Sequence, residues 1–388
     1  MVTLRWVLAA LVPAVVLAYL VRRTKQPREP VVAVAGTFVL GGLGAALALY
    51  LEARAAALTG VDIRVDRAGP GVALVFLFGF VAPLREAMKV TAAWPAFRSR
   101  AFDEPLDGLV YSSAAALGFA AVENAVLLRA SPGAVAIARA LLALPAHLFF
   151  AALWGYALGR AKRDHTPGRV FPYAWLAATA CHGLYIHLVW GRGPGALLGV
   201  VPLLCVMGAV LVVARRDLQA LGERPSRAGL SNRLSPLSLR YLAQPPSMRT
   251  MRDALRRRGR PIALTWVVFG SFVTVGAMIA GLAAAVAVGH ATGVDFASVD
   301  ERDVATVGPV ALLGAGLLAA FPFSGYLIAR ASGLPTLLEP AFAALSGIFA
   351  MFVVLGLAAP VSVVFAVALA PFAFGLACVG AWVGKPEA

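Results

Sequence analysis

Apolar residues along this chain come in runs of about 20, broken by short polar stretches, and they recur almost from end to end. A run of that length spans the hydrocarbon core of a bilayer as one helix. The runs are apolar all round, without the period of two that a membrane β-barrel would show. The pattern predicts an all-α, polytopic transmembrane helix bundle of about eleven spans. They cover residues 3–21, 31–51, 71–90, 109–129, 133–159, 170–190, 195–214, 262–289, 306–329, 336–358 and 361–384.

Composition agrees with a membrane chain. Of 388 residues 60% are hydrophobic and 14% charged, and mean hydropathy is +0.82. The net charge of +15 is gathered in particular loops, so it reads as a topology signal and makes no case for nucleic acid. Basic loops follow the first, third, fifth and seventh spans: Arg22–Arg28, Lys89–Arg100, Arg160–Arg169 and Arg215–Arg260. Residues 290–305 carry Asp295, Asp300, Glu301 and Asp303 against Arg302. This alternation places the N-terminus outside and the C-terminus in the cytoplasm, most naturally of a bacterial cytoplasmic membrane. The first apolar run has its positive charge after it, so it reads as a retained helix rather than a cleaved leader.

Residues 215–261 hold twelve arginines and three acidic residues, with Pro225, Pro236, Pro245 and Pro246. They read as a basic cytoplasmic linker between a seven-span module, 1–214, and a four-span module, 262–388, of unassigned role. Cys181, Cys205 and Cys378 all fall in apolar spans and form no disulfide framework. Glu339, beside Pro340, reads as a helix-start or snorkelling carboxylate.

Four ionisable residues of the first module interrupt its apolar spans: Glu86, Glu123, His147 and His182. A charge at bilayer depth costs roughly 2.5–3.5 kcal/mol on insertion scales, so intramembrane ionisable groups mark function by default. Lys89 follows Glu86 by three residues and shares its helix face. Glu123 has apolar sequence on both sides and needs a buried partner, a proton or a metal. His187, five residues after His182, points to another face. Two histidines and a carboxylate match the set of a catalytic zinc site, and the remaining glutamate supplies a general base. The same parts also serve a proton relay in a transporter.

Position along the helices sets a condition on a shared site. At ~1.5 Å per residue, Glu86 lies within ~10 Å of the cytoplasmic face and Glu123 ~21 Å from it. To meet, residues 101–112 would form an interfacial segment and span four would start near Ser113.

These segments resemble the PrsW-type intramembrane proteases, a branch of the CAAX-type membrane protease group. Glu86 and Lys89 match the second glutamate and the lysine of a Glu-Glu-x-x-Lys motif. Phe119 and Glu123, followed by Asn124, match Phe-x-x-x-Glu. His147 and His182 match two separated histidines on the next helices. The likeness covers about residues 30–215. It implies hydrolysis of peptide bonds in membrane proteins, in relatives anti-sigma factors or prenylated substrates, by a metal-assisted or glutamate-activated water. On this reading Glu123, His147 and His182 hold a zinc ion or the oxyanion and Glu86 is the base. Lys89, Phe119 and Asn124 support them. Partners are a membrane-protein or peptide substrate and the bilayer.

Two positions depart from the family pattern. Arg85 stands where the first glutamate belongs, and Ile186 stands where relatives often carry Asp or Asn. An arginine beside Glu86 would stabilise its charged form and weaken it as a base. A pseudoprotease that binds membrane proteins without cutting them is therefore the alternative, ahead of a proton-linked transporter.

Overall fold

A computed structural model describes residues 2–23, 30–61, 70–130, 134–164, 170–190, 197–223, 261–294, 296, 307–333, 337–356 and 362–384. Among them there is no strand. Helices α1 (Val2–Arg23) and α2 (Val31–Thr59) are followed by α3, a rod of three contiguous pieces. These are an α segment Pro70–Phe76, a π turn Leu77–Val81 and an α segment Ala82–Arg98. Then come α4 (Asp107–Ala130), α5 (Ala134–Asp164), α6 (Phe171–Trp190) and α7 (Leu197–Glu223). The chain continues with α8 (Leu264–Ala291), α9 (Val307–Ser332), α10 (Leu338–Gly356) and α11 (Ser362–Gly384). Among the described residues seven helices, α2, α3, α4, α5, α8, α9 and α11, are long and apolar enough to cross a membrane. The protein is an all-α integral membrane bundle, as the apolar runs predict. Most of the basic segment 215–261, and parts of the basic and acidic loops behind the orientation, lie outside the described residues.

The chain divides into two units, Met1–Leu230 and Ser231–Ala388. In the first, α4 is the central rod. Two thirds of its apolar window is buried (67%), against 28% for α2. It packs on α1, α2, α3 and α5, while α3 also touches α2 and α6. Small residues bring these backbones together. A Cβ at Gly118 would lie 1.9 Å from the Phe38 carbonyl oxygen of α2. One at Gly108 would lie 2.2 Å from the Gly155 carbonyl oxygen of α5. Any side chain there would separate the helices, and close helix approach is the main source of packing energy within lipid.

The π turn of α3 has a local cause. Pro83 brings no N–H and its ring crowds the carbonyl four residues back, so the ladder shifts register ahead of it, with Ala82 N–H reaching the Leu77 carbonyl. Two and three residues later come Arg85 and Glu86.

Helix α3 also runs further than its apolar run suggests. It passes Lys89 and continues to Arg98, so Glu86 sits a little over three turns, ~18 Å, from that end. Helix α4 starts at Asp107 rather than near Ser113, which leaves Glu123 ~24 Å from its start. The two glutamates thus reach similar depth through a longer α3, and the late start of α4 is not needed. Lys89 gives no span end because it is fully buried against Glu86.

In the second unit α8 packs on α9 and α10, and α11 packs on α9 and α10. Gly281 and Gly316 meet backbone to backbone between α8 and α9. Ala277, Met278, Phe321, Ala344, Ile348 and Ala377 fill its core. Glu339 lies in the first turn of α10. It is buried rather than snorkelling, and its Oε1 accepts the Ala263 N–H at 3.4 Å.

Candidate active site

Five helices of the first unit each deliver polar side chains to one buried centre: Glu52 from α2, Arg85, Glu86 and Lys89 from α3, Glu123 from α4, His147 and Trp154 from α5, and His182 from α6. All four candidate residues, Glu86, Glu123, His147 and His182, meet there. The rings of His147 and His182 stand edge to face with centroids 5.1 Å apart.

Two glutamate–histidine pairs make up the centre. In the first, His147 Nε2 lies 2.7 Å from Glu123 Oε2, and the other oxygen of Glu123 accepts from Arg85 Nη1. In the second, His182 Nδ1 lies 2.6 Å from Glu86 Oε1. Lys89 Nζ donates to that same oxygen at 2.6 Å, and Trp154 Nε1 donates to Oε2 at 3.0 Å. Each carboxylate is held by a fixed cation, which compensates the desolvation of both charges. An ionised carboxylate only accepts, so each imidazole donates its N–H to its glutamate. His147 Nδ1 and His182 Nε2 then keep free lone pairs, and both atoms are buried without a hydrogen-bond partner among the described residues.

Aromatic rings fix the imidazoles. Phe119 packs on His147 with centroids 5.5 Å apart, and Phe150 stacks on His182 at 5.2 Å. Lys89 Nζ also lies 5.2 Å from the centroid of Phe119, within cation–π range. Gly183 admits the π turn of α3, since a Cβ there would lie 2.6 Å from the Phe78 ring. Asn124 points elsewhere: its Nδ2 donates to the Ala140 carbonyl of α5 at 3.1 Å, tying α4 to α5. Ile186 is core at 1% exposure. Of the four candidates Glu123 has the most open side chain, 15% exposed against 0–1% for the others.

Arg85 does not act on Glu86 as its place in the sequence suggests. Successive helical residues point about 100° apart, and the guanidinium turns toward α2 and α4. Its Nε and Nη2 donate to Glu52 Oε1 and Oε2 at 2.7 and 2.8 Å, a bidentate pair. Its third bond goes to Glu123. Glu52 is the partner that sequence reasoning missed, because it sits one residue past the apolar run 31–51. Trp154, which was also missed, follows His147 by seven residues and so shares its helix face.

The helices that carry this centre fall within a stretch similar to known proteins. Residues 29–214 match the family described as PrsW family intramembrane metalloprotease. Protease PrsW of Geobacillus kaustophilus is 40% identical over 92 residues, 24% of this chain and 41% of that protein. Protease PrsW of Clostridioides difficile is 27% identical over 46% of this chain and 76% of its own length. For that of Oceanobacillus iheyensis the figures are 27%, 47% and 82%. The chain thus spans less than half of the first relative and three quarters or more of the other two. No solved structure matches the chain.

The family description implies a metal, so the donors can be tested for one. Both oxygens of Glu123 are engaged, by Arg85 and His147. Those of Glu86 are engaged by Lys89, His182 and Trp154. Each oxygen of Glu123 thus already serves a charge-assisted partner, and the two imidazole nitrogens are the donors that carry no bond. Among the described residues no group of three or more His, Cys, Asp or Glu is placed to hold a metal ion. As arranged, Glu123, His147 and His182 do not present the three-ligand set of a catalytic zinc site. Over residues 29–214, and in the order of the motifs along α3 to α6, the first unit of this chain is similar to the PrsW-type intramembrane protease family.

Proposed function

We propose that the first unit is an intramembrane peptidase that hydrolyses peptide bonds of membrane-protein substrates at the Glu123–His147 and Glu86–His182 pairs. The observation that carries this reading is the pair of buried nitrogens, His147 Nδ1 and His182 Nε2, without a hydrogen-bond partner among the described residues and each on an imidazole backed by a carboxylate. A carboxylate behind an imidazole fixes its tautomer and stabilises the imidazolium formed when the ring takes a proton. One such nitrogen removes the proton of an attacking water as its oxygen bonds to the carbonyl carbon, and the imidazolium so formed returns that proton to the leaving nitrogen as the C–N bond breaks. Glu86 acts through His182 rather than as the free base expected from its motif, because three donors already hold it. Glu123, the most open of the four, marks the side from which water and substrate arrive. The N-terminus lies outside and the C-terminus in the cytoplasm of a bacterial membrane, by the distribution of basic loops.

Mass spectrometry of new protein termini tests the reading in bacterial membranes holding either wild type or His182→Ala. New termini inside membrane spans are expected with wild type alone. Identical termini from both would favour the pseudoprotease, for which Arg85 at the motif glutamate is the specific observation.

A further inference from the structure

The centre contains a cation that its family motif does not supply. Arg85 is 2% exposed and makes three charge-assisted hydrogen bonds, two to Glu52 of α2 and one to Glu123 of α4. Glu52 is itself buried, at 9% exposure. A planar guanidinium suits this bridging role: its fork grips one carboxylate with two parallel bonds and still reaches a second. The chain of contacts runs from Glu52 through Arg85 and Glu123 to His147, so the position of the imidazole depends on a residue with two helices in between.

Charge balance sharpens the point. Glu52, Glu86 and Glu123 carry three negative charges against two on Arg85 and Lys89, with both imidazoles neutral. The surplus is one negative charge, half of what a divalent ion carries. With glutamate at position 85, the same groups would be four carboxylates against Lys89, a surplus of three. A buried surplus of that size demands a cation; the arginine largely removes the demand.

We propose that Arg85, clamped by Glu52, is the built-in cation of this centre and takes the place of a divalent metal in holding Glu123 and His147. The inference rests on the peptidase reading for its setting but concerns how the centre is assembled. Glu52 and Arg85 are positioning residues that act through Glu123.

The test is metal retention by the purified full chain in lipid nanodiscs. Wild type, Arg85→Glu and Arg85→Glu/His147→Ala are equilibrated with Zn²⁺, washed with a weak chelator and measured by mass spectrometry of the metal. Wild type is expected to retain none, and Arg85→Glu to retain about one equivalent that His147→Ala removes. Equal retention by wild type and Arg85→Glu overturns the proposal. If Arg85→Glu does not fold, wild type is compared with His147→Ala alone: retention that this change abolishes overturns it, and no retention supports it. A further arm reads Glu52: Glu52→Gln is expected to melt below wild type with zinc or without it, and an unchanged melting temperature overturns the clamp. Cleavage is scored separately. A wild type that cuts while holding metal sinks this inference alone, and one that neither cuts nor holds metal sinks the peptidase reading alone.

Discussion

Arg85 is the residue on which the centre turns. Removing one member of a buried, hydrogen-bonded ion pair leaves its partner charged and dry, which costs about 3–5 kcal/mol. Arg85→Gln strands both Glu52 and Glu123 and should lower unfolding stability by about that amount in a denaturing-detergent titration. Arg85→Lys should recover part of it, because an ammonium keeps the charge but loses the fork. The histidines behave differently: they bring the proton-transfer groups. His147→Ala and His182→Ala should each reduce cleavage by roughly 10²–10⁴-fold, measured as turnover of a transmembrane substrate, with a smaller effect on melting than Arg85→Gln.

At the scale of the elements, the site depends on how closely α4 lies against α2 and α5. Gly118 faces the Phe38 carbonyl with no room for a methyl group, so Gly118→Ala should destabilise the unit by about 1–3 kcal/mol. It is expected to weaken cleavage as well, since Phe119 and Glu123 ride on the same rod. Thermal melting beside turnover checks both. The helices themselves were legible as apolar runs because lipid forces every backbone group into an intrahelical bond. The motif residues stood out because ionisable groups in such runs are rare. The ends were harder. Lys89 looked like the edge of a span, but Glu86 neutralises it and α3 continues to Arg98. Glu52 escaped notice because it falls one residue past the apolar run 31–51, but α2 extends to Thr59 and turns it inward toward Arg85. Both errors share one physical cause. Hydropathy scores each charge alone, and it is pairing with a residue 3 or 33 positions away that decides burial. The side toward which Arg85 points was equally invisible, because adjacency in sequence places neighbours on different helix faces.

For the whole molecule, the polar centre belongs to the first unit, and the second has its own apolar core around Phe321 and Met278. A chain ending at residue 230 is expected to fold in nanodiscs with the helicity of its share and to keep His182-dependent cleavage. Loss of folding in that shortened chain would mean that the four C-terminal helices are part of the structural unit. The central claim, however, is hydrolysis at the two glutamate–histidine pairs, and one measurement addresses it directly. Wild type and Glu123→Gln are placed in liposomes of bacterial lipid with a single-span substrate, in water enriched in ¹⁸O, and the products are weighed. The account predicts that wild type yields a new C-terminus carrying one ¹⁸O atom, formed from bulk water inside the span, and that Glu123→Gln yields almost none. Equal product from both proteins, or none from a folded wild type with any substrate that the terminus survey identifies, would contradict it.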